Sequence, residues 1–217
     1  MQKLKGISLA IFSLVLYIFL SLEFSALVYN LNLQNKLVNT LLLILGDIFI
    51  AFTLILIYLK DFKKDYQDFN KNGKEILKKA IKVWFIGLII MVTSNLIINS
   101  FVNSIASNEA VNRTILDKSF IYAIVTMVLI APICEEIIFR LSLSKFIDND
   151  YLYYTLSGLL FGYMHIMSAT GLEVLYIIPY SSLGVAFAYI YRNTKNIFST
   201  ISVHIMHNLL CIILILL

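Results

Sequence analysis

Apolar residues run along this chain in long unbroken stretches rather than in alternation. Windows at about 6–29, 37–59, 80–103, 119–145, 151–168, 173–191 and 197–217 are dominated by Leu, Ile, Val, Phe and Ala. A helix needs roughly 20 apolar residues to cross a bilayer, whereas a transmembrane barrel shows alternating segments of about ten. The pattern therefore predicts an all-α, polytopic transmembrane helical bundle of about seven spans, folded as a single membrane-embedded domain over residues 1–217. The turn Ser168–Leu172 separates the fifth span from the sixth.

Composition agrees with this pattern. Of 217 residues 60% are hydrophobic and 14% charged, and the mean hydropathy is +0.87. A soluble globule carries far more charge, and a disordered chain carries far fewer large apolar residues. A net charge of +4 is compatible with a polyanionic partner, but 8 of the 17 basic residues fall between Lys60 and Lys82. That stretch reads as a loop between spans and not as a binding groove, so the expected partner is the lipid bilayer and no nucleic acid is expected. Placing the 60–82 loop in the cytoplasm puts 14 basic residues inside and leaves three, Lys36, Arg113 and Lys118, outside. Such an excess of cytoplasmic Lys and Arg is what sets membrane orientation, so the N-terminus is expected to be cytoplasmic. Lys3 and Lys5 ahead of an apolar stretch imitate a signal peptide, but the stretch runs to about Tyr29 without a small-residue cleavage site and reads as a retained first span. The Ile-, Lys- and Asn-rich composition suggests a bacterial plasma membrane. Cys134 and Cys211 both lie inside apolar stretches and read as small buried hydrophobes.

An ionisable side chain at the centre of a spanning helix costs about 2.5–3.5 kcal/mol on insertion scales, so each needs a partner or a purpose. Within or near the spans lie Glu23, Asp47, Glu135, Glu136, Arg140, His165, Glu173, His204 and His207. Glu173 is expected at the outer interface, and Glu23 and Asp47 face either the polar site or each other. Glu135 and Glu136 point about 100° apart on a helix and cannot serve one partner. Glu136 and Arg140 stand at i and i+4 in the favourable order for an ion pair. Glu135 is left without a partner on its own helix, the setting of a general base or acid. Pro132 removes a backbone bond and, in an α-helix, frees the Val128 carbonyl one turn upstream. On the fifth span Phe161 lies one turn before His165 and limits its rotation, while Gly158 and Gly162 allow a close helix approach. The last span carries His204 and Asn208 on one face, with His207 off it in a packing role. Taken from the lysine-rich ends of their helices, Glu135, His165, His204 and Asn208 lie roughly 15, 21, 10 and 17 Å deep. The four can thus share one cavity, expected to be wetted from the cytosol.

Glu135-Glu136-x-x-x-Arg140, Phe161-x-x-x-His165 and His204-x-x-x-Asn208, in that order on three late spans, resemble the signature motifs of the CAAX prenyl endopeptidase and bacteriocin-processing (CPBP, or Abi) intramembrane protease family. The resemblance covers about residues 119–217, the expected protease core; residues 1–118 hold three motif-free spans. It implies an intramembrane glutamic endopeptidase acting on a membrane-associated peptide or protein, with CAAX-box processing and peptide maturation among the family's tasks. Glu135 and His165 would activate water, His204 and Asn208 would stabilise the oxyanion, and Glu136, Arg140 and Phe161 would support them.

No metal or organic cofactor is expected. The rival reading is a zinc-dependent metalloprotease with Glu136, His165 and His204 as ligands. The His-Glu-x-x-His signature is absent, however, and Arg140 would set a cation against the metal. Gly-x-Ser-x-Gly is missing, as is a second spanning aspartate to accompany Asp47. A different class altogether is a non-catalytic self-immunity factor, scaffold or transporter using the polar cluster as a binding site.

Overall fold

A computed structural model describes residues 2–102 and 104–217. Its helices are α1 (Gln2–Leu31), α2 (Lys36–Ile57), α3 (Leu59–Asn99), α4 (Ser107–Lys118), α5 (Phe120–Lys145), α6 (Asp150–His165), α7 (Ile177–Thr194) and α8 (Ile197–Leu216). A 3₁₀ turn, Gly171–Tyr176, leads into α7. Among the described residues there is no strand, and the fold is an all-helical bundle.

Six helices, α1, α2, α3, α5, α7 with its leading turn, and α8, are long and apolar enough to cross a membrane. The remaining expected span, 151–168, is the 16-residue helix α6, about 24 Å long and so shorter than the hydrocarbon layer. Large apolar side chains such as Phe12, Phe19, Phe52, Phe85 and Ile89 point outward, as lipid-facing positions must when the solvent is hydrocarbon.

The basic stretch 60–82 is not a loop. It forms the first half of the 41-residue α3, about 60 Å long and twice the hydrocarbon thickness. Lys and Glu propagate helices well, and Phe62, Ile76 and Ala80 recur at helical spacing and are buried. A reading keyed to apolar windows passes over a polar helix of this kind, and it passes over α4 for the same reason.

The extension of α3 also fixes where α8 begins. Lys195 takes the left-handed conformation at φ +49° and ends α7. Asn196 then caps α8, its Oδ1 accepting from the Phe198 N–H at 3.0 Å. Its Nδ2 donates to the Asp65 carbonyl at 2.9 Å, and Asp65 Oδ2 accepts the Ile197 N–H at 2.8 Å. The helix carrying His204 is thereby pinned at one end.

Two side-chain ion pairs, Lys3 with Asp148 and Lys145 with Asp61, gather the ends of α1 and α5 and the start of α3 on this same lysine-rich face. At the opposite end of the bundle Ser104 donates to Glu173 at 2.8 Å and the Tyr176 hydroxyl donates to the Ser104 carbonyl at 2.7 Å. The core between them is built from Leu54, Trp84, Ile137, Phe187, Ile190 and Ile201.

Candidate active site

The long helix α5 is not uniformly α-helical. Residues Ala123–Ile130 and Ile137–Ser142 are π-helical and flank the α-helical segment Ala131–Glu136. π-Bulges widen the turn and expose carbonyls, and here neighbouring helices take them up. Ser157 of α6 donates to the Phe139 carbonyl at 2.6 Å and Tyr153 to the Arg140 carbonyl at 3.0 Å.

The wider turn also moves the carbonyl that Pro132 leaves open. The Ala131 N–H bonds the Thr126 carbonyl, five residues back. In that register an N–H at position 132 would reach Met127, not Val128. Proline has none, and Asn208 supplies the missing donor, its Nδ2 lying 2.7 Å from the Met127 carbonyl. Asn208 thus ties α8 to the π-helical turn of α5 at Met127.

Glu136 is fully buried beside Arg140, whose Nε lies 3.2 Å from Glu136 Oε2. Arg140 is itself enclosed: its guanidinium carbon stands 4.7 Å from the Phe161 ring centre and 5.5 Å from that of Phe187. The other Glu136 oxygen accepts from His204 Nδ1 at 2.8 Å. With Nδ1 so engaged, His204 turns Nε2 toward Glu135, whose Oε2 is 3.8 Å away. That is too long for a hydrogen bond, and Glu135 Oε2 is buried with no hydrogen-bond partner among the described residues.

His165 Nδ1 lies 2.8 Å from the Phe161 carbonyl. A carbonyl only accepts, so Nδ1 carries the proton and Nε2 of the neutral ring is left with a free lone pair. The ring is clamped between Phe161, centre to centre 4.4 Å, and Tyr180, stacked at 4.7 Å. His207 is buried, meets Trp84 edge-on at 6.5 Å and has Nε2 3.5 Å from Cys211 Sγ.

Glu135, His165, His204 and Asn208 all line one cavity of about 390 Å³, together with Phe161, Tyr180, His207 and Cys211. Glu136 and Arg140 stand behind its wall. Glu23 is exposed and Asp47 lies beside Tyr122; neither lines the cavity. Solvent entry from the lysine-rich face is the expectation from sequence; buried Ile137, Phe187 and Ile201 lie between that face and Glu135, and the cavity lining extends instead to α4.

The aromatic neighbours Tyr180 and Phe187 were not foreseen. Phe187 is tilted over His204 at 4.8 Å, and Tyr180 and Phe187 both come from α7, which carries none of the three motifs. The signal that could have found them is Gly184. α6 and α7 approach so closely that a Cβ at Gly184 would lie 3.0 Å from the Gly158 Cα, which brings the α7 aromatics onto the histidines.

The zinc reading meets an occupied ligand. Glu136 is held by a cation and by an imidazole that would itself be a ligand. Among the described residues no three or more His, Cys, Asp or Glu side chains converge as a metal donor set.

Residues 117–210 match the family described as type II CAAX prenyl endopeptidase Rce1-like. The matched segment holds Glu135, Glu136, Arg140, Phe161, His165, His204 and Asn208 and leaves out α1, α2 and α3. No curated protein and no solved structure matches the chain.

Proposed function

We propose, for a chain whose residues 117–210 match the Rce1-like type II CAAX prenyl endopeptidases, a metal-free hydrolysis of peptide bonds in which Glu135 and His165 activate water. The match supports a CAAX-type intramembrane protease, and the six long apolar helices support an integral multi-pass membrane protein. The observation that carries the proposed mechanism is the half-buried Glu135, whose Oε2 has no hydrogen-bond partner among the described residues, lining a cavity that also receives His165, His204 and Asn208.

His165 Nε2 and Glu135 hold the water between them, and the carboxylate takes its proton as the oxygen attacks the scissile carbonyl carbon. The carbonyl becomes an oxyanion, toward which His204 Nε2 and the second amide hydrogen of Asn208 donate. To donate from Nε2 while Nδ1 donates to Glu136, the His204 ring must be charged. Glu135 and Glu136 then balance Arg140 and His204, and the buried cluster is neutral overall, which lowers the cost of keeping it ionised. As the intermediate collapses, the C–N bond breaks and Glu135 passes its proton to the leaving amine. The substrate is a membrane-associated peptide or protein segment.

The test is to incubate the purified, detergent-solubilised chain with solubilised membrane proteins and to read new peptide termini by mass spectrometry, beside Glu135→Gln. New termini from the native chain alone support the mechanism, and equal yields from both would refute it. Hydrolysis that persists in a strong chelator supports the metal-free reading, and its loss restores zinc.

A further inference from the structure

The cavity is open at one end and sealed at the other. Its deep end is formed by Glu135, Phe161, Leu183 and His204. Between these residues and the lysine-rich face lie Ile137, Leu141, Phe187, Ile190, Ile197 and Ile201, each less than a tenth exposed. The polar side chains of that layer, Glu136, Arg140, Ser142 and Thr200, are equally enclosed. In the other direction the lining passes Asn208 and Cys211 and reaches Asn95 near the end of α3, then Asn108, Glu109, Asn112 and Arg113 of α4.

Those four α4 residues stand at i, i+1, i+4 and i+5 and so share one helix face. Leu116 anchors the helix in the bundle, and Arg113 Nη2 pairs with Glu109 Oε1 at 2.6 Å. The mouth is therefore rimmed by three asparagines and an ion pair, groups that donate to and accept from an extended peptide backbone. It opens at the end of the bundle where Ser104 meets Glu173, remote from Lys3, Lys145 and the Lys60–Lys82 half of α3.

Lys and Arg concentrate on the cytoplasmic side of membrane proteins. We infer that the site is entered from the non-cytoplasmic side of the membrane, past the α4 rim, so that its substrate is a peptide segment presented on that side. This rests on the proteolytic reading of the cavity for the word substrate, but the side of entry stands on geometry and charge alone.

The test labels single added cysteines with a membrane-impermeant maleimide and maps modified peptides by mass spectrometry, which separates them from native Cys134 and Cys211. Asn112→Cys sits on the rim and Lys74→Cys on the basic half of α3. The expected result is labelling of the first in intact cells and of the second only after permeabilisation; any other pattern overturns the inference. A second readout uses the labelled proteins in detergent: a bulky adduct at position 112 should abolish cleavage and the same adduct at position 74 should leave it intact, while equal rates would remove α4 from the entry route. Because labelling needs no hydrolysis, loss of the protease reading through Glu135→Gln and loss of the entry side are told apart.

Discussion

His204 Nδ1 donates to Glu136 Oε1 across 2.8 Å, joining α8 to α5 over 68 positions of sequence. The bond sets the direction of the opposite ring nitrogen, which faces Glu135 and the cavity. Glu136 thereby has two duties, compensating Arg140 and aiming His204.

Replacing Glu136 separates these duties. Glu136→Ala strands a buried guanidinium, a loss of about 3–5 kcal/mol, and should reduce the folded yield. Glu136→Gln keeps the shape and one acceptor but removes the counter-charge of His204. It is expected to lower kcat by about 10²–10³, the usual cost of one lost oxyanion donor, with KM little changed. Steady-state cleavage kinetics check this, and a fall in affinity at unchanged kcat would give Glu136 a substrate-binding role instead.

The tether between α3 and α8 yields a stability prediction. Asp65→Ala removes the acceptor of the buried Ile197 N–H, leaving a donor unpaired at a cost of about 1–3 kcal/mol. Thermal unfolding in detergent should show a lower midpoint, whereas Asp68→Ala, which deletes the bonds from Asn196 Nδ2 and Asn72 Nδ2 to a carboxylate nearer the surface, should shift it less. Equal shifts would mean that the Ile197 cap contributes nothing of its own.

What could be read beforehand follows from which forces leave a trace in one sequence. Hydrocarbon solvation selects apolar residues one by one, so the six long helices are visible as windows. The Glu136–Arg140 pair is local to one helix and was legible from its spacing. The partnership of Glu136 with His204 was not, because it is a contact between helices distant in sequence. Spacing rules assume 3.6 residues per turn, and the π-segments of α5 break that assumption, which is why the freed carbonyl fell on Met127 and not on Val128. The polar half of α3 escaped because Asp65 and Asn196, and not an apolar stripe alone, hold it in place. Entry from the lysine-rich face was a depth argument, blind to the plug of Ile137, Phe187 and Ile201.

Close packing of α6 on α7 gives a third prediction. A Cβ at Gly158 would collide with Val185 Cγ2 and lie 3.0 Å from the Ser181 carbonyl. The backbone contact cannot rotate away, so Gly158→Ala should destabilise by about 1–3 kcal/mol, as overpacking does. Gly73→Ala, whose Cβ would meet Phe69 at an ordinary 3.5 Å, is the control and should unfold at or slightly above the native midpoint, since alanine favours a helix interior over glycine by about 0.8–1 kcal/mol. Should Gly158→Ala unfold at the native temperature, the two helices are less tightly apposed than described.

Asn208 poses the sharpest question, since it bonds a structural carbonyl and also lines the cavity. Asn208→Ala should lose stability by about 1–3 kcal/mol through the orphaned Met127 carbonyl and activity by about 10²–10³ through a missing oxyanion donor. Pro132→Ala restores an N–H in the register that reaches Met127. Combined with Asn208→Ala it should recover the unfolding midpoint while activity stays low. Coupling in stability without coupling in rate is the signature of two separate roles. If the pair regains activity along with stability, Asn208 acts only as a brace for the π-helical turn of α5, and His204 alone faces the oxyanion.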